Sequence, residues 1–173
     1  MAAWLHRGFT LIELLVAMTI LILLLVLAMP GYVLWTSDSE IRNATESTAS
    51  GLRFAQATAI SSNRNAQFVL SPTGWDVMMV DAPLVSVQTA TFNEGGKNVT
   101  VTAVPAGKTT VAFNALGQVI PDPANNLVQV DLSMPAVAKT TPLRVLVGNG
   151  RTGVKICDPD PKWVFPDPRA CPP

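Results

Sequence analysis

The sequence predicts an α+β chain: one long N-terminal helix, with a membrane half and an amphipathic half, packed on an antiparallel β-sheet head. Three observations carry this. Residues 9–29, FTLIELLVAMTILILLLVLAM, form an almost unbroken apolar run. A stripe of apolar and small residues at helical spacing follows it. Beyond residue 66, short β-rich segments sit between Gly and Pro clusters. Composition narrows function as well. Of 173 residues, 49% are apolar and only 14% charged, against roughly 25% charged in typical soluble domains. The 12 basic and 12 acidic residues cancel, which argues against a histone-like nucleic-acid binder. One His and two Cys leave little for a zinc site or a Cys-His nucleophile. With no P-loop, dinucleotide-type glycine pattern or metal-ligand spacing, the expectation is neither an enzyme nor a cofactor protein.

The first element is the apolar run, in which Thr10, Glu13 and Thr19 are the only polar side chains. At about 1.5 Å per residue it spans roughly 31 Å, close to the ~30 Å hydrocarbon core of a bilayer. The preceding segment, MAAWLHRG, has Arg7 as its only fixed charge. A secretory signal peptide would have an apolar core of about 7–15 residues and a small-x-small cleavage site; this run is longer, and AMPGY is a poor match. A plain anchor fits the length, but an acid at a membrane centre costs roughly 2.5–3.5 kcal/mol, less near the interface. A third reading joins Arg7-Gly8-Phe9-Thr10-Leu11-Ile12-Glu13-Leu14 into one motif.

Beyond Pro30, Ile41, Thr48, Leu52, Ala55 and Ala59 follow at gaps of 7, 4, 3 and 4, one face of a helix. Asp38, Glu40, Arg42, Glu46 and Arg53 fall largely elsewhere. The helix should run to about Ser62, with Asn63 as its stop. Gln67–Leu70 and Trp75–Val80 read as a hairpin around Ser71-Pro72-Thr73-Gly74. Further strands are expected at Val99–Val104, Thr109–Phe113, Leu127–Leu132, Leu143–Val147 and, briefly, Val154–Ile156. No internal repeat is evident.

The octet RGFTLIEL closely resembles the class III signal of type IV pilins and type II secretion pseudopilins. That resemblance implies a pilin-like fold and cleavage by a prepilin peptidase after Gly8, with methylation of the new N-terminus at Phe9. It also implies retention of Glu13, whose carboxylate meets the Phe9 amine of a neighbouring subunit. The segments become a leader (1–8), a transmembrane and assembly helix (9–35) and a periplasmic head (36–173). Within this superfamily the layout resembles the GspH/FimT group, on Phe113-Asn114-Ala115-Leu116-Gly117-Gln118 and Gly148-Asn149-Gly150-Arg151. The resemblance implies a minor pilin of a type IV pilus, carried in the inner membrane and partnered by other pilins. The alternative is a GspH-like pseudopilin of type II secretion.

Two C-terminal features complete the reading. Cys157 and Cys171 suggest one disulfide in an exported head, closing a proline-rich loop like a pilin's C-terminal loop. From Arg144 onward there are five basic residues against three acids, although the total is neutral. In FimT-like members a Gly-Arg-x-Arg element is associated with DNA binding. Here it reads Gly150-Arg151-Thr152-Gly153, with Lys155 as a displaced cation. DNA contact would use Arg151, Lys155 and Lys162, with Trp163 stacking on a base. On the competing reading Arg151 and Lys155 are solvated charges and Trp163 closes the loop's own core.

Overall fold

The computed structural model describes residues 9–80, 84–122, 126–148, 153–164 and 166–172. The chain divides into two compact units between Thr36 and Ser37. One helix, α1 (Leu11–Ser62), runs through both, with Pro30 inside it. Proline has no N–H to give the carbonyl of Val26, yet the helix continues. Asn63, at φ 51°, ends it in the left-handed conformation that Asn tolerates.

In the first unit no large apolar side chain of the run is covered: Phe9 through Met29 are 49–82% exposed. In the second unit the expected stripe is the buried face. Ile41, Leu52, Ala55, Ala59 and Thr48 are fully buried, joined by Ala44, Thr45 and Ala49. The Thr45 and Thr48 hydroxyls donate to the carbonyls of Ile41 and Ala44, 2.6 and 2.8 Å away. Their polar atoms are thereby satisfied inside the helix.

The head holds two four-stranded antiparallel sheets where the sequence suggested one. Sheet one takes β1 (Ala66–Ser71), β2 (Gly74–Met79), β3 (Val85–Thr91) and β5 (Thr110–Phe113), in the order β3-β2-β1-β5. Sheet two takes β4 (Thr100–Val104), β6 (Gln129–Ser133), β7 (Leu143–Leu146) and β8 (Lys155–Cys157), in the order β4-β6-β7-β8. Phe68, Val77, Val111 and Phe113 from sheet one meet Val130, Leu132 and Val145 from sheet two in one core under α1. The strand β3 was not expected. It is an edge strand, nearly all solvent-exposed, and its register shifts between Val77 and Met78 of β2. Asp76 fastens it by accepting from the hydroxyls of Ser86 and Thr89.

Gly51 sets how closely α1 meets sheet one. A Cβ there would lie 2.6 and 2.7 Å from the Trp75 ring and 2.9 Å from Phe68. The Trp75 indole has little room to yield, because it stacks on Phe68 and its N–H donates to Ser47 Oγ at 3.0 Å. Polar side chains along α1 then pin loops on both flanks. Asp38 accepts from Thr141 N–H, Glu40 from Asn98, Arg53 donates to Val154 O, and Gln56 to Gly117 O. Gly51→Ala gains about 1 kcal/mol of helix propensity but overpacks the core by about 1–3 kcal/mol. We therefore expect a net loss of roughly 1 kcal/mol in urea unfolding of the head; unchanged or increased stability would contradict this packing.

Candidate functional site: the N-terminal turn and the C-terminal loop

Thr10 is the N-cap of α1. Its carbonyl accepts from Leu14 N–H at 3.2 Å, and its hydroxyl accepts from Glu13 N–H at 3.3 Å. Glu13 thus sits at the third helical position, in the Thr-x-x-Glu spacing of a capping box, where the helix dipole favours an acid. Phe9 lies just outside the cap and is 81% exposed. Its backbone nitrogen and the Glu13 carboxylate therefore belong to the same helix end. The capping role of Thr10 was missed, although the capping-box spacing was there to be read. Gly8 lies outside the described residues.

At the other end, Cys157 and Cys171 form a disulfide with Cα atoms 5.0 Å apart. The enclosed loop has its own small core. Trp163 N–H donates to Asp158 Oδ2 at 2.8 Å, and the Arg169 guanidinium lies 3.4 Å from the Trp163 ring centroid. Asp158 N–H donates to the Arg169 carbonyl, so the two limbs of the loop are joined again beside the disulfide. Lys162 pairs with Asp160 at 2.7 Å and Arg169 with Asp167 at 3.2 Å.

Of the four residues expected to meet DNA, Arg151 lies outside the described residues. Lys162 has its charge matched by Asp160, and Trp163 has its indole N–H bonded and a ring face covered by Arg169. Lys155 stands on β8, the edge of sheet two, half-buried. A cleft of about 370 Å³ opens nearby, lined by Arg42, Glu46, Leu143, Ile156, Asp158 and Arg169 among others.

The Phe113–Gln118 segment is a tight turn built by its own residues. Asn114 Oδ1 accepts from the N–H groups of Leu116 and Gln118, both at 3.0 Å. Gly117, at φ +73°, approaches α1 so closely that a Cβ would lie 2.7 Å from Ile60 Cδ1. Its carbonyl accepts from Gln56 at 2.8 Å, so this glycine docks the turn on the helix.

An uncovered apolar helix that continues into a head of antiparallel sheets, with one acid in its first turn, defines a subunit of pilin type. Residues 5–29 match the model of the prokaryotic N-terminal methylation motif. Residues 44–157 match that of type II transport protein GspH, and the chain belongs to that family of minor pilin-like proteins. Its fold is similar to that of the type IV minor pilin FimU of Pseudomonas aeruginosa, at a TM-score of 0.51 and 16% identity, over 70% of this chain and 91% of that one. It is equally similar to the minor pseudopilin EpsH of the Vibrio cholerae type 2 secretion system, at 0.51 and 14%, over 70% and 98%. At such identities the likeness is one of fold. No curated sequence matches the chain significantly.

Two measurements test the loop. Closing about 15 residues is worth roughly 3 kcal/mol in the chain-entropy model, so reduction of the disulfide should lower the head's stability to urea by about that amount. Ion pairing sets a pH limit as well. The Asp160 carboxyl is held below the usual carboxylate range, chiefly by its side-chain hydrogen bond with Lys162, and Asp167 likewise by Arg169. Depressed acids stabilise above their unfolded values and lose that contribution as pH falls through their folded ones. The same bond raises Lys162, whose contribution holds below the usual lysine value and fades at more alkaline pH. The near-UV signal of Trp163 should therefore be constant around neutrality and change below about pH 4. An unchanged signal at acid pH would contradict the pairing.

Proposed function

We propose that the chain is a minor pilin of a type IV pilus, processed after Gly8 and methylated at Phe9. In this reading residues 9–35 hold it in the inner membrane with the head in the periplasm, and then pack among other pilins. The observation that carries the reading is the uncovered apolar half of α1 with Glu13 in its first turn. Sixteen large apolar side chains from Phe9 to Met29 lie 49–82% exposed. Covering each contributes about 1–2 kcal/mol, on the order of 20 kcal/mol together. That dwarfs the few kcal/mol Glu13 costs in an apolar setting. Burial is non-directional, however, and a helix slipped by one turn would bury nearly the same area. Glu13 breaks this degeneracy: only the register that brings it a neighbouring N-terminal amine avoids an unpaired buried charge, worth about 3–5 kcal/mol.

The type II secretion reading is favoured by the description of the matched family. The disulfide-closed C-terminal loop, pilin-like in the sequence, favours the pilus. Sheared surface filaments decide between them. In the pilus reading they contain this chain, with an N-terminal peptide that begins at Phe9 and is one methyl group heavier than unmodified. A chain retained with residues 1–8, or absent from pili while its deletion blocks protein secretion, would overturn that reading.

DNA uptake is the finer form of the pilus reading, and its support is the C-terminal basic excess. With Lys162 paired and Trp163 covered, it rests on Arg151 and Lys155. Salt titration of DNA binding by the head should show Arg151→Gln weakening affinity and flattening the log–log slope by about 1. No binding at low salt, or no effect of the substitution, would remove DNA from the function.

A further inference from the structure

The apolar stretch of α1 has a charge at each end and none between: Glu13 on one side, Asp38 on the other. At 1.5 Å per residue these lie about 37 Å apart along the helix. A hydrocarbon core of about 30 Å leaves roughly 7 Å of slack, more than a full turn of helix. Apolar length alone therefore does not fix the depth of the helix.

Tyr32 and Trp35 remove that slack. They are the two amphipathic aromatic residues of the first unit's described helix, one turn apart, with ring centroids 6.3 Å apart and planes at 42°. They remain 65% and 67% exposed. Neither is among the buried residues that make up the head's core. The polar group beside them is already satisfied, since Thr36 Oγ1 donates to the carbonyls of Tyr32 and Val33. Measured from Glu13, Tyr32 lies about 29 Å and Trp35 about 33 Å along the axis. Those two distances bracket the hydrocarbon thickness. Rings with an apolar body and a polar tip settle in the headgroup layer, where both parts are accommodated.

We propose that Tyr32 and Trp35 form an interfacial anchor whose partner is the phospholipid headgroup layer, so that the pair sets the depth of α1 in the bilayer. The proposal rests on the reading of residues 9–35 as membrane-held, and adds what fixes their position. With the pair at one interface, Glu13 falls at the opposite headgroup layer. Its carboxylate then remains hydrated in the membrane-held subunit and enters an apolar setting only on assembly.

The full chain, reconstituted in phosphatidylethanolamine and phosphatidylglycerol vesicles, allows a direct test. Subtracting the emission of Trp35→Phe from that of the unaltered chain isolates Trp35 from Trp4, Trp75 and Trp163. Bromines near the carbonyl end of the acyl chains should quench this difference emission more than bromines near the terminal methyl. Its maximum should be blue-shifted from that of Trp in water. Flotation with the vesicles is scored in parallel. A chain that floats while the Trp35 component is unquenched, or is quenched most by deep bromines, overturns the anchor: the pair then faces water, protein or the bilayer interior. A chain that does not float overturns both the anchor and the membrane reading beneath it.

Discussion

An apolar surface that the chain cannot cover by itself governs the rest of this molecule. From Leu11 to Met29, α1 presents large hydrophobic side chains all round, and among the described residues the head's hydrophobic core begins at Ile41. A soluble helix would bury one stripe and face water with the other. Here the first half must be covered by lipid or by neighbouring helices. The second half is an ordinary core helix, with Ala55 and Ala59 fully buried and Gly51 small enough to let sheet one close in. One continuous helix thus serves two environments, and the change falls near Thr36 and Ser37.

That division explains the placement of polar groups. Within the apolar half, Thr19 and Thr36 turn their hydroxyls back to helix carbonyls, and Thr10 caps the first turn. Glu13 has no such internal settlement of its charge. It stands in the first turn, where the helix dipole favours an acid; in the proposed reading a neighbour's amine meets it on assembly. In the head, by contrast, polar side chains of α1 from Asp38 onward bond to loops of both sheets, which ties that half of the helix to the head.

Much of this was legible from residues 1–173 alone. The apolar run, the stripe Ile41-Thr48-Leu52-Ala55-Ala59 and the Pro72-Thr73 hairpin obey periodicities that tertiary contacts did not override. The strand β3 was not legible, because both its faces are exposed and its register shifts beside Val87. The second sheet was hidden for another reason: local alternation says which face is buried, not which strand pairs with which. Nor does the sequence show that Gly51 faces Trp75, a contact between residues far apart in the chain. In the C-terminal loop, the cations looked available for phosphate when counted along the chain. Pairing with Asp160 and Asp167, and the Arg169–Trp163 stack, are properties of the folded loop.

The central claim is that burial drives assembly while Glu13 selects its register. The most direct measurement is the amount of chain in sheared filaments, normalised to its membrane level, for Glu13→Val against the unaltered protein. Valine adds apolar surface, so burial alone would leave incorporation equal or raise it. Loss of a charge pairing worth about 3–5 kcal/mol predicts instead a fall of roughly a hundredfold to a few thousandfold, with the membrane level unchanged. Incorporation equal to that of the unaltered chain would contradict the account.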